Sequence, residues 1–252
     1  MRRYITIISI FLSFFASIKA QEAKNEIDFL AEEKKNTITE NTYKFSVTYR
    51  VQGGLVQQWQ HSNNKTYADL YLYGPKIGVT FDFNLPYNLS IQTGINYILA
   101  YGISTQHWKN ASTDDYSEQY LKHRIMNHEL SIPIRATIKI HLWKQLGLMF
   151  YTGPEISIGL AQKNNIKNYL NYDTNKWLQS INVKTEPYDR YSENELFRTN
   201  IQYGLGGGLE WANYRLQAGY DFGLNNLIKQ QTEISRQMYS WSWNIIFSYA
   251  IP

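Results

Sequence analysis

Residues 198–227, RTNIQYGLGGGLEWANYRLQAGYDFGLNNL, restrict the fold more than any other stretch of the chain. From Ile201 the odd positions read Ile201, Tyr203, Leu205, Gly207, Leu209 and Trp211, and the even ones read Gln202, Gly204, Gly206, Gly208 and Glu210. A period of two places large apolar groups on one face of a strand and small or polar groups on the other. Ala212-Asn213 is a minimal connection, after which the alternation resumes with Tyr214, Leu216, Ala218, Tyr220, Phe222 and Leu224. Apolar spacing of three and four, which a helix would need, is absent. The stretch predicts a long β-hairpin with one lipophilic and one wet face.

The same alternation recurs along the chain. Strands are expected over 43–57, 70–85 and 89–103, around 129–140, over 146–160, in the two arms of the hairpin, and over 237–251. Pro133, in mid-strand, predicts a local bulge. The connections alternate long and short: polar loops at 61–68, 103–122, 161–197 and 225–236, against turns at 86–88, 141–145 and 212–213. An even number of strands with short turns at one end and long loops at the other is the pattern of bacterial outer-membrane barrels. The strands exceed the roughly 9–11 residues that a tilted crossing requires. The expected fold is therefore all-β, an eight-stranded antiparallel up-and-down transmembrane β-barrel, located in the bacterial outer membrane. The rival is a soluble eight-stranded barrel of the lipocalin type, with its apolar face inward. Alternation alone does not separate the two. Two further features favour the membrane. The polar face is mostly Gly, Ser, Thr, Gln and Asn instead of Lys and Glu. Aromatic residues, 15% of the chain, collect near strand ends as interfacial girdles do. Phe83, Tyr87, Trp143, Trp211, Tyr214 and Tyr249 would mark the periplasmic rim, and Trp59, Tyr71, Tyr101, Tyr239 and Trp241 the outer one.

Residues 1–20 read as a signal peptide, with Arg2-Arg3 followed by the apolar run Ile5–Ile18 and then Ala20. Residues 21–42 read as a charged periplasmic lead without alternation, and 43–252 as the barrel. With no cysteine, disulfides, thiolate metal sites and a lipid anchor on the signal are excluded. The net charge of +4 is mild and its basic residues scattered, so no nucleic-acid partner is expected.

The segments ELSIPIRATIKI (129–140), FYTGPEISIGL (150–160), GLGGGLEWANYRLQAGYDFGLNNL (204–227) and NIIFSYAI (244–251) resemble the PorT-like, porin-family outer-membrane β-barrel domain common in Bacteroidetes. The resemblance covers about residues 43–252, and the glycine-rich hairpin is its most specific part. It departs from that pattern in ending on Pro252 instead of an aromatic residue. Membership implies an eight-stranded outer-membrane barrel, but no single function, since some relatives support protein secretion and gliding.

The inward positions carry the most informative chemistry. Alternation places Arg50, Lys76, Arg135, Lys139 and Arg215 in the lumen with Asp82, Glu155, Glu210 and Asp221. Eight strands enclose a space that side chains just fill, so these charges are expected to pair, with Arg50 and Arg135 near mid-height. Inward glycines would make room for the arginines. A side-chain-filled lumen is the expected state, and an ion path is the competing one. The loop 161–197 offers Tyr169, Tyr172, Trp177, Tyr188 and Tyr191 among Asn and balanced charges, a composition suited to a protein or glycan contact. Catalytic parts could come from His123 or His128 with Ser117 and Glu118 or Glu129, and metal ligands from His123, His128 and Glu129, but no fixed spacing joins them. The expectation is thus a non-enzymatic accessory or interaction protein acting through its long extracellular loops, without cofactor or metal. Its partners would be outer-membrane lipid and other outer-membrane or periplasmic proteins. A narrow ion or small-solute channel and a rim-located lipid enzyme are the alternatives.

Overall fold

The computed structural model describes residues 45–62, 70–108, 119–143, 145–229 and 237–251. The signal and lead expected over 1–42, and Ser117 and Glu118, lie outside the described residues. The strands are β1 (Ser46–Ser62), β2 (Leu70–Asn84), β3 (Leu89–Trp108), β4 (Gln119–Trp143), β5 (Leu146–Tyr169), the two-residue β6 (Tyr188–Asp189), β7 (Thr199–Trp211), β8 (Tyr214–Gly223) and β9 (Met238–Ile251), with one helix, α1 (Tyr172–Ser180), between β5 and β6. Apart from β6, each strand pairs antiparallel with its sequence neighbours, and β1 pairs with β9 from Tyr49↔Ile251 to Ser62↔Met238, closing an eight-stranded ring. Closure leaves no unpaired edge, which is what a sheet in hydrocarbon requires.

The direction of the faces separates the membrane barrel from its soluble rival. Apolar side chains point outward and stay exposed: Leu55 is 69% exposed, Ile77 56% and Ile95 53%. Their neighbours Gln58, Thr80, Asn96 and Ser131 point inward and are buried. An apolar belt running round the whole barrel far exceeds the few hundred Å2 that a water-exposed surface tolerates. Lipid is the medium that fits it.

Aromatic rings bound this belt at both ends. Tyr49 packs edge-on against Phe81, and Tyr214 lies beside Tyr249 and Phe247 near the tight turns. At the other end Trp59 stacks on Tyr71 and lies 4.8 Å from the Trp241 ring. Tyr49 and Trp59 are separated along β1 by about 33 Å of strand, or roughly 25 Å of height at the tilt such barrels adopt.

The turn Pro86–Leu89 has positive φ at Tyr87 and Asn88, the twist-matched geometry of tight hairpins. It lies at the same rim as the facing ends of β4 and β5, Trp143 and Leu146, and as the connection 212–213. The long connections all leave from the opposite rim.

Three expectations require correction. Pro133 causes no bulge: Ser131 and Ile134 keep one register with β3, and Pro133 and Ala136 keep one with β5. The strand forgoes a ladder hydrogen bond without inserting a residue. The shift lies instead between Glu129↔Gly159 and His128↔Ala161, where Leu160 is the additional residue. This bulge reverses the parity of β5, so that Gln162 and Asn164 point inward where odd positions did below. Because the wall above it is polar on its outer side as well, hydrophobic alternation ends there although the strand does not. β4 and β5 are consequently far longer than 129–140 and 146–160, and 161–197 is not a simple loop. It continues β5 to Tyr169 and then forms α1 and β6.

With no native cysteine, the orientation can be read by labelling. Tyr172→Cys should react with a membrane-impermeant maleimide on intact cells, and Pro86→Cys only after permeabilisation. The opposite pattern would invert the barrel.

Candidate functional site

Two arrangements follow from the inward faces and from the folded segment above the outer rim. All nine charges expected in the lumen lie on the inner face, and they form two groups. Near the tight turns, Arg50 Nε donates to Asp82 at 3.0 Å and its Nη2 to Glu210 at 2.7 Å, while Nη1 reaches the turn carbonyl of Asn213. Arg215 Nη2 binds the same two carboxylates at 2.6 and 3.2 Å, and Lys139 Nζ lies 3.5 Å from Glu210. Gln92 donates to the other Asp82 oxygen at 3.0 Å. Arg50 is thus anchored beside the rim of the tight turns, not at the mid-height expected of it.

The second group lies higher. Arg135 Nη2 bridges Glu155 at 2.8 Å and Asp221, and its Nη1 donates to the Gly153 carbonyl. Lys76 Nζ completes the group at 3.2 Å from Glu155. Gly153 holds φ at 152°, a conformation that excludes a side chain there. Gly204 lies so close to Asp221 and Arg135 that a Cβ would overlap both. Gly206 and Gly219 likewise make the slot for the Tyr151 ring, which in turn faces the Arg135 guanidinium at 5.6 Å. Inward glycines therefore define where the large side chains lie.

Between the groups, Gln52, Thr80, Gln217 and Asn244 are among the residues lining a polar cavity of ≈20 Å3, room for about one water molecule. Above it the interior changes character. Val56, Leu70, Leu72, Ile98, Ala100 and Ile125 form a buried apolar cluster, where alternation alone implied a wet face. In LYLY (70–73) both faces are apolar, one toward lipid and one toward this plug, so alternation there has no polar partner to reveal it. Beside the cluster is a tenth inward charge that sequence reasoning missed. Glu129 is 5% exposed and accepts from Gln58. Its odd parity with Ser131 was the signal that could have found it.

The segment between β5 and β7 folds onto the extended end of β5. Asn171 caps α1 by accepting from Thr174 N at 2.8 Å, and Asn182, at φ 59°, ends it. Leu178 is fully buried, while Tyr172 is 77% and Trp177 52% exposed. β6 takes the place beside β5 that β7 vacates above Ile158, and Gln162 N and Tyr191 N both donate to the Asp189 carboxylate. Arg190 turns inward to Gln162 Oε1 at 2.9 Å and Glu195 at 3.3 Å. Tyr191, Leu196, Leu227, Ile228 and Met238 form a small core, with the Tyr191 ring against Gly159. Burial, and next the Glu129 carboxylate, push the Tyr191 phenol far above its ordinary range. Burial also raises Tyr188, to about 12. Of the five aromatic contact candidates, Tyr169, Tyr172 and Trp177 are exposed, Tyr188 is half-buried, and Tyr191 is a packing residue of the cap.

Among the described residues, the parts considered for catalysis are not brought together. His128 lies on the outer face, where its Nδ1 is 2.6 Å from the Tyr97 hydroxyl. Glu129 points inward, and His123 contacts Asn164 on the inner wall above the bulge. Adjacent residues of a strand face opposite ways, so His128 and Glu129 share no site.

Two measurements test this interior. Asp82→Ala strands Arg50 and Arg215 with one carboxylate between them and should cost about 3–5 kcal/mol in urea unfolding from lipid vesicles. Lys184→Ala, removing a surface pair, should cost below about 1 kcal/mol. Purified monomer in a planar bilayer should show no steady conductance.

No curated protein matches the chain. Among solved structures, Neisserial surface protein A is similar at 10% identity and a TM-score of 0.41, over 82% of this chain and 99% of that one. Ail of Yersinia pestis, bound to the heparin analogue sucrose octasulfate, shares 10% identity at 0.38 over 82% and 99%. OprG of Pseudomonas aeruginosa shares 6% at 0.36 over 83% and 98%. The family of outer membrane protein β-barrel domains matches residues 39–229. With its closed ring, outward apolar belt and inward charges, the chain belongs to that family and is a protein of the bacterial outer membrane.

Proposed function

We propose that this barrel is a non-enzymatic accessory or interaction subunit of the outer membrane, of the PorT-like kind common in Bacteroidetes, and that its extracellular cap makes the contact. The observation that carries this reading is the cap's construction. Tyr169, Tyr172 and Trp177 are exposed on a strand end and a capped helix, above a segment anchored by buried Arg190 and Tyr191. Aromatic residues held on a rigid frame bind with little ordering cost, and such rings dominate protein interfaces. The paired charges and the buried apolar cluster that occupy the inner face support contact over conduction. Surrounding lipid and another outer-membrane or periplasmic protein are the partners this reading requires, with no cofactor and no nucleic acid.

The test is a pull-down in mild detergent from the native host, comparing the wild type with a Tyr169→Ser/Tyr172→Ser/Trp177→Ser variant whose barrel still shows heat-modifiable migration. A partner retained by the first and lost by the second is the expected outcome. An unchanged partner set, or lipid turnover by the purified protein that His123→Ala or His128→Ala abolishes, would overturn the reading.

A further inference from the structure

The outer face of the wall formed by β3, β4 and β5 carries a feature that neither the lumen nor the cap uses. Register sets its side chains in rows. Starting at the aromatic rim, Tyr101 lies beside Met126 and Lys163, Ile103 beside Arg124 and Asn165, and Thr105 beside Lys122 and Lys167. The next row, His107, Tyr120 and Tyr169, is aromatic, with the two tyrosine rings 4.5 Å apart. Four cations thus occupy three successive rows between two sets of rings. Arg124, Lys163 and Lys167 are exposed and Lys122 half-buried. Among the described residues none of the four makes an ion pair, and no acidic side chain shares the outer face of these three strands. Asp189, opposite Lys163 on β6, has its carboxylate engaged by Gln162 N, Tyr191 N and Ser192 Oγ.

Such a pattern is unfavourable in isolation. Lys122 and Lys167 are direct cross-strand partners, and like charges placed so repel. The inner charges of the same barrel are paired throughout its two groups, so the unpaired state of the outer ones is a local departure. On β3 the same rows are lipophilic, with Tyr101 49% and Ile103 61% exposed, and this strand continues below them into the belt that faces acyl chains. A wall that is apolar below and cationic immediately above meets, in the outer leaflet, the boundary between acyl chains and anionic headgroups. Cations near such a surface are drawn to it electrostatically.

We propose that Lys122, Arg124, Lys163 and Lys167 form a binding site for the phosphate groups of an outer-leaflet glycolipid, whose acyl chains lie along Leu99, Tyr101 and Ile103. None of the four cations is among the aromatic residues proposed for the cap's contact. The lipid's negative charge relieves the repulsion between Lys122 and Lys167. The neighbouring tyrosines hold its sugar and acyl boundary at the height of the aromatic rim. An anchored lipid would brace the part of the wall that rises above the membrane.

The test uses the full-length protein in phosphatidylcholine nanodiscs doped with bisphosphorylated lipid A, or with the same glycolipid after removal of its phosphates. Glycolipid retained per barrel is counted by native mass spectrometry. The wild type should retain the phosphorylated form, and a Lys122→Gln/Arg124→Gln/Lys163→Gln/Lys167→Gln variant should lose it by about tenfold or more. Lys176→Gln, a cation of α1 outside the patch, should retain it. Because the quadruple variant could fail to fold, salt provides a second measurement on the wild type. Retention of the phosphorylated form should fall steeply between low and high ionic strength, and inorganic phosphate should not compete at equal concentration. Equal retention of phosphorylated and dephosphorylated glycolipid by the wild type, insensitivity to salt, full retention by the folded quadruple variant, or competition by free phosphate would overturn the assignment.

Discussion

Asp82 and Arg215 are the pair on which the interior depends. Both are almost completely buried, 2.6 Å apart, on strands distant in sequence. An eight-stranded ring has no room for bulk water in its lumen, so each charge must find its counter-charge inside the protein. Asp82 does so twice, with Arg50 and Arg215, and Glu210 closes the square from the rim. This network ties β1, β2, β7 and β8 together through their side chains, in addition to the backbone ladders at the wall. Removing one member leaves the others in a medium that penalises an unpaired charge by several kcal/mol.

The same constraint explains the order of materials along the barrel axis. Charges lie nearest the tight turns and at mid-height, and amides surround the small cavity. An apolar cluster follows toward the opposite rim. Glu129 lies where polar gives way to apolar, bonded to Gln58, which itself accepts from Asn127. Glycines at 204, 206 and 219 decide where Arg135 and Tyr151 lie, so the empty volume of small residues shapes the lumen as firmly as the large ones fill it. The outer wall follows a different rule. Below the rim it need only be apolar. Above the rim it meets headgroups and water, and there the cations of β4 and β5 appear.

The cap shows how a segment with no sequence periodicity becomes ordered. The Leu160 bulge shifts β5 by one residue, so that Gln162 points inward toward Arg190. That hydrogen bond, the Asp189 carboxylate and the Tyr191 ring against Gly159 fix a connection that composition alone describes only as polar and aromatic. Its exposed rings stand on this frame.

The sequence by itself determined the features that repeat with a local period. Alternation at 201–211 and 214–224 gives a hairpin, its recurrence gives eight strands, and parity alone puts Arg50, Asp82, Arg135 and Arg215 on one face. These are legible because each residue's side is set by its immediate neighbours. Tertiary structure alone decided which charge meets which, since the tilt and stagger of the closed sheet bring Arg215 to Asp82 and Arg135 to Asp221. It also decided the extent of β4 and β5, because an extra residue reverses parity and a wall polar on both sides leaves no hydrophobic period to read. The apolar plug, the burial of Tyr191 and the row of cations beside Tyr101 arise the same way: each is a meeting of strands through long-range register, and register is a property of the closed ring, not of any one segment.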